Sequence, residues 1–274
     1  MVLCGRTSWT YARLRGTHMD ALYSGLFYAG VVATLVGLFS LIRPLRWVGI
    51  LTRRRGVLVA TAGAVLALGT AVLPTPARTT AARDMLIDQW LPEWQFGEYH
   101  ERRVRASPGQ LFAAIRRVRS SDIVLFRTLA FLRNPRRDGQ GEHILNAPEE
   151  KPILDVALAG GFILLGEEAD RELLLGAIVI APPEVVRSAH RGNVPSLDQA
   201  LFKTLGRPGF ARVVMNFRVV PESDGWTRVT TETRVHAVDR PTRRQFAQYW
   251  RVIYPGSWLI RWSWLRAIEA RLVP

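Results

Sequence analysis

Residues 211–237 read ARVVMNFRVVPESDGWTRVTTETRVHA, and their alternation decides the fold class. Ala211, Val213, Met215, Phe217 and Val219 fall on one side of a strand, with Arg212, Asn216 and Arg218 on the other. Ser223-Asp224-Gly225 is a turn whose glycine accepts positive φ. The returning strand puts Val229, Thr231, Thr233, Val235 and Ala237 on one face, and Arg228, Glu232, Arg234 and His236 on the opposite one. Two long antiparallel strands, each half apolar and half polar, predict a sheet with one wet face.

Downstream, Asp239-Arg240-Pro241 opens a helical stretch that runs to the C-terminus. Phe246, Trp250 and Ile253 form a stripe, and Pro255-Gly256 is expected to kink or break the helix. From Ser257 to Leu272 the pattern is apolar nearly all round, with Trp258, Trp262 and Trp264. Such a helix is covered on more than one side.

Upstream, Glu98 to Val104 is strand-like. Ser107-Pro108 starts a helix, serine as N-cap and proline at the first position, running through Leu111, Phe112, Ile115 and Val118. Ile123–Leu132 has helical spacing, and 134–151 is a loop rich in Pro, Gly and charge. Pro152–Ala159 reads as a short helix. Phe162–Leu165 and Glu172–Ile180 read as a hairpin turning at Glu168-Ala169-Asp170, and 181–208 as irregular with a helical turn near Leu197–Leu205.

The N-terminal quarter is different. Ala21–Ile42 is 22 residues without a charge, enough at about 1.5 Å per residue to cross a hydrocarbon core of about 30 Å. Gly56–Leu73 is a second uncharged run of 18, closed by Pro74. Five arginines lie between them (Arg43, Arg46, Arg53, Arg54, Arg55). Counted from Met1, the opposite flanks hold five as well (Arg6, Arg13, Arg15, Arg78, Arg83); counted from Met19 they hold two. The first count is a tie; with Met19 as the start, an alternative open because residues 1–18 read as neither signal nor structure, the second favours the connecting loop in the cytoplasm and both termini outside. Arg53–Ala77 also resembles a secretory signal, here an uncleaved start-transfer helix. The chain is thus expected to be an integral protein of the cell membrane with its soluble domain extracytoplasmic. The divisions are 1–20 as a tail, 21–74 as two transmembrane helices, 75–94 as a tether and 95–274 as one domain.

The net charge is +14, of which residues 1–83 contribute +9 beside the apolar runs, where it reads as topology signal. No dense basic stripe marks the rest as a nucleic-acid partner. The single cysteine, Cys4, excludes an internal disulfide framework. His100, His143, His190 and His236 lack HExxH spacing, so no metal is expected; nor is a cofactor, since no phosphate loop and no GxSxG elbow is present. Glu149-Glu150 and Glu167-Glu168 read as solvated turn acids, and Glu232 as the partner of a cross-strand arginine. No catalytic residue is singled out.

A strand and helix at the start, a central run of strands and a long C-terminal helix resemble the START-like, helix-grip superfamily (SRPBCC), which includes polyketide cyclases and lipid-transfer domains. Glu172-Leu173-Leu174-Leu175-Gly176, Thr231-Glu232-Thr233-Arg234-Val235, and Phe246-Ala247-Gln248-Tyr249-Trp250-Arg251 through Tyr254-Pro255-Gly256-Ser257 look like an uncharacterised bacterial branch of it. The match covers roughly 95–272, its weight in the last 65 residues. The resemblance implies an α+β fold, a curved antiparallel sheet gripping the C-terminal helix, behind a transmembrane helical hairpin. It also implies a cavity between sheet and helix, lined by Met215, Phe217, Thr231, Thr233, Phe246, Trp250 and Ile253. Plain core packing is the alternative for all seven, and inward hydroxyls are what point to a ligand or trapped water. Three functions follow: a tethered module binding a lipid or other hydrophobic small molecule, a non-catalytic interaction protein with a filled core, or a cyclase- or dehydratase-like enzyme. Ionisable groups facing the cavity separate the first from the third. The terminal helix, with Trp258, Trp262, Arg261, Arg266 and Arg271, has a further reading as a bilayer-surface element.

Overall fold

The strands read from residues 211–237 lie at the centre of a five-stranded antiparallel sheet in the computed structural model, which describes residues 6–126, 128–129, 148–190 and 196–272. The segment Ile123–Leu132, the 134–151 loop and His143 fall partly or wholly outside them. The chain divides into two units: Met1–Thr75 with Arg244–Pro255, and Pro76–Arg243 with Gly256–Pro274.

In the first unit α1 (Arg6–Ile42) and α2 (Arg53–Val72) form an antiparallel hairpin. Helix begins at Arg6, so part of the N-terminal stretch expected to lack structure is helical. His18–Ile42 and Arg53–Val72 are long and apolar enough to cross a membrane. Small residues bring the two backbones together: a Cβ on Gly30 would meet Ala67 N at 2.6 Å, and one on Gly63 would meet Thr34 N at 2.5 Å. The hydroxyls here bond helical carbonyls, Thr34 to Gly30 O at 2.8 Å and Thr70 to Leu66 O at 2.8 Å.

In the second unit, short strands β1 (Arg78–Thr79) and β2 (Glu93–Trp94) pair around α3 (Leu86–Trp90). Then come β3 (Phe96–Val104) and α4 (Pro108–Arg117), whose Ser107 and Gln110 complete a capping box. After α5 (Ile153–Ala159), β4 (Ile163–Glu168) and β5 (Glu172–Ile180) form the expected hairpin, Asp170 holding φ +57° at its turn. Two helices, α6 (Pro183–His190) and α7 (Gln199–Thr204), occupy the region read as irregular. Strands β6 (Ala211–Pro221) and β7 (Thr227–Ala237) flank a turn with positive φ at Asp224 and Gly225. The sheet order is β3-β7-β6-β5-β4, every pairing antiparallel.

Helix α8 (Arg240–Ala270) closes the chain, with Asp239 as N-cap accepting from Thr242 N at 2.9 Å. It runs through Pro255 unbroken, so of the kink or break expected there the break does not occur. Proline removes the amide that would bond the carbonyl of Arg251. The Ser24 hydroxyl donates to that carbonyl at 2.6 Å, and Tyr28 to the carbonyl of Val252 at 2.6 Å. The Arg251 guanidinium in turn donates to Ala71 O at 3.0 Å and Leu73 O at 2.6 Å, satisfying carbonyls at the end of α2.

Candidate functional site

Register assigns every strand residue to one of two faces. Met215 lies opposite Thr233 and Phe217 opposite Thr231; Thr233 in turn lies opposite Glu98, and Thr231 opposite His100. On the far side Leu175 faces Met215 and Leu173 faces Phe217. This inner face joins α4 and the second part of α8 in one apolar cluster, with Trp264, Leu265, Ala267 and Ile268 from the helix. Phe217 and Trp264 pack ring to ring at 5.0 Å. Four of the seven residues read as lining, Met215, Phe217, Thr231 and Thr233, are therefore buried on one surface. Phe246 and Trp250, buried, and Ile253, partly buried, lie in the first unit, where Phe246 stacks on Trp250 at 5.8 Å.

Polar groups interrupt the inner face. Glu98 is 2% exposed, and its Oε1 accepts from Ser257 Oγ at 2.6 Å, with Arg261 Nε 3.5 Å away. Its Oε2 stands 3.7 Å from His100 Nε2, too far for a hydrogen bond. The His100 ring meets Trp258 edge-on at 5.6 Å, and Trp258 is itself exposed. Glu98 Oε2, His100 Nε2, Thr231 Oγ1, Thr233 Oγ1 and Trp264 Nε1 are buried without a hydrogen-bond partner among the described residues. An unmet buried polar group costs about 1–3 kcal/mol, and a whole domain is stable by only about 5–15 kcal/mol. Four of these atoms lie on the inner face of the sheet and the fifth on the helix packed against it.

The opposite face overturns the expectation that it is wet. Arg234 is fully buried: its Nη2 donates to Asp88 Oδ1 at 2.6 Å, its Nε to Glu232 Oε1 at 2.6 Å and its Nη1 to Leu91 O at 3.1 Å, and it lies 4.0 Å over the Trp94 ring. Glu172 accepts from Asn216 Nδ2 at 2.7 Å and from the amides of Leu86 and Ile87, at the start of α3. Burial nevertheless pushes its carboxyl above the ordinary carboxylate value. Glu232, placed on the wet face as a cross-strand partner, is buried and pairs with Arg234 of its own strand. The cover comes from Met85, Ile87, Leu91 and Trp94, in the stretch read as a tether, which cluster with Leu174 and Val214.

Glu167 pairs with Arg116 and Glu150 with Arg119, both at the surface. Among the described residues no three His, Cys, Asp or Glu side chains are placed to hold a metal ion.

Glu98, His100 and Arg261 were not marked as site residues from sequence. One signal was present: Phe96, Glu98, His100 and Val104 share strand parity, so two apolar ends bracket the acid and the imidazole.

A five-stranded antiparallel sheet with a long C-terminal helix packed on one face is a helix-grip-like arrangement. The chain matches no family model and no curated protein. Solved structures similar to it include a hypothetical protein of Helicobacter pylori, with 13% identity over 70% of this chain and 98% of that one, at TM-score 0.33. A protein of Mesorhizobium loti shares 16% over 64% and 96%, at 0.27. Ara h 8.0201 shares 13% over 65% and 97%, at 0.21. Scores this low carry no argument, and the fold rests on the strand order and packing above.

Proposed function

We propose that the sheet-and-helix unit is a START-like (SRPBCC) domain that binds a lipid or other hydrophobic small molecule between its inner face and the 256–270 part of α8. On this reading α1 and α2 anchor it in the cell membrane with the domain outside the cytoplasm. The observation that carries the proposal is the row of partnerless buried polar atoms on an otherwise apolar face. A ligand with an apolar body and a polar end buries the first against Leu173, Leu175, Met215 and Phe217, and bonds the second to the row. Native mass spectrometry of the full chain, extracted in mild detergent from its own membrane, tests this. A bound small molecule that disappears in Thr231→Trp is the expected result. An unliganded mass, in a preparation that retains its fold, overturns it.

A second reading has its own observation. Glu98 Oε2 and His100 Nε2, side by side at 3.7 Å, are an acid–imidazole pair able to move a proton on a bound substrate, as a cyclase- or dehydratase-like enzyme would need. Recovery of the ligand chemically unchanged after incubation with the wild-type chain removes this reading.

A further inference from the structure

We infer that the molecule held at the inner face is uncharged and carries its polarity as a hydroxyl, seated between Glu98 and His100; the inference rests on the binding role proposed above. Charge comes first. The ionic side chains on this face already match one another: Glu98 faces Arg261 Nε at 3.5 Å, and Arg102 of β3 pairs with Glu269 of α8. A phosphate or carboxylate headgroup entering here finds each cation of these two pairs already facing a carboxylate of the protein. It would also bring an acceptor-only oxygen against Glu98, a mismatch that costs more in a buried setting than in water.

Bonding capacity points the same way. The partnerless atoms include a carboxylate oxygen, an imidazole nitrogen, two threonine hydroxyls and an indole N–H. The indole only donates, an ionised carboxylate only accepts, and the hydroxyls do either. A ligand hydroxyl, which donates once and accepts twice, is the smallest ligand group that serves donors and acceptors together, and it reaches up to three of the five. The 3.7 Å gap between Glu98 Oε2 and His100 Nε2 is too long for a direct bond, yet one oxygen can lie about 2.8 Å from both. Ser257 and Arg261 hold the other carboxylate oxygen, so Oε2 is presented in a set direction. Leu173, Leu175, Met215 and Phe217 supply the apolar surface for the body of the molecule.

The test offers the full chain, in detergent at pH 7.5, an equimolar mixture of deuterated hexadecan-1-ol, hexadecanoic acid and hexadecyl phosphate. Excess is removed on a column and what remains is counted by mass spectrometry. Hexadecanol is expected at one per chain, with the acid and the phosphate lower by about tenfold, the equivalent of one well-made buried hydrogen bond. Glu98→Ala is expected to lower alcohol retention by a similar factor. Thr231→Val, which removes no bond present in the protein, gives a second, smaller loss and serves if Glu98→Ala does not fold. Retention of the acid or the phosphate at one per chain overturns the hydroxyl inference and leaves the binding role standing. Alcohol retention unchanged in both variants also overturns it. No retention of any probe overturns it too, and the binding role falls with it when the chain from its own membrane is likewise unliganded.

Discussion

Both faces of the sheet bury polar side chains, but an ion-paired network centred on Arg234 joins those of the outer face, while the inner face has no such centre among the described residues. On the outer face Arg234, Asp88, Glu232, Asn216 and Glu172 are each held by at least one direct hydrogen bond. Single atoms there lack a partner as well: Gln95 Nε2 and Arg212 Nε belong to side chains bonded through another atom, whereas the Arg218 side chain, with a buried partnerless Nε, makes no hydrogen bond among the described residues. On the inner face the hydroxyls of Thr231 and Thr233 and the indole N–H of Trp264 make no hydrogen bond among the described residues. A closed network fixes how segments dock, here Met85–Gln95 against β5, β6 and β7. An open row fixes nothing within the chain. On the binding role proposed above, the contrast separates polarity buried for structure from polarity buried for a ligand.

The largest effect expected is on the closed side. Arg234→Leu leaves Asp88 and Glu232 buried with no cation between them. Breaking a buried pair by removing one partner destabilises by about 3–5 kcal/mol. Chemical denaturation of the full chain in detergent, followed by near-UV circular dichroism, should show that loss. A change below about 1 kcal/mol would mean the network is replaceable packing, and the contrast between faces would dissolve.

The open side should respond with the opposite sign. Thr231→Val and Thr233→Val keep volume and remove hydroxyls that bond nothing, so the ligand-free protein should gain about 1 kcal/mol for each. The ligand-loaded protein should lose stability by a similar amount. If both substitutions destabilise the ligand-free chain, the hydroxyls already have partners and the inner face is ordinary core.

Much of this was legible in one dimension. The strands at 211–237, their turn, the 163–180 hairpin and the start of α8 follow from period-two alternation and from Gly, Asp and Pro chemistry. The outer face was misread for a physical reason. A strand that alternates apolar with Arg and Glu looks the same whether water or protein covers the charges. The cover here is a five-residue helix and its flanks, more than 100 residues away in sequence from Arg234 and too short to show a period. Why Pro255 does not break the helix is equally non-local, since the hydroxyl that donates to the carbonyl it frees belongs to Ser24, 227 residues away. Glu98 and His100 could be assigned to the inner face only once β3 was paired with β7, about 130 residues on. Polarity within a strand is local information; what meets it is not.

The smallest effect tests whether the closed face is as settled as its bonds suggest. Glu172 receives three donors, which favour the anion, yet it is 1% exposed, and burial outweighs them to raise its folded value above 4.5. A carboxyl with a raised folded value contributes stability in full below its unfolded value, and that contribution is lost as pH rises through the folded one. Glu222 and Asp239, held low by Arg228 and by the start of α8, act in the other direction and below about pH 4.5. Subtracting the pH profile of Glu172→Gln from that of the wild type cancels those groups and leaves Glu172 alone. The difference in thermal midpoint, wild type minus variant, should therefore fall as pH rises from 4.5 to 7. A difference that climbs instead would mean the amides of Leu86 and Ile87 win over burial. The carboxylate would then be a stabilising anion at the start of α3, and the outer face would be closed in charge as well as in hydrogen bonds.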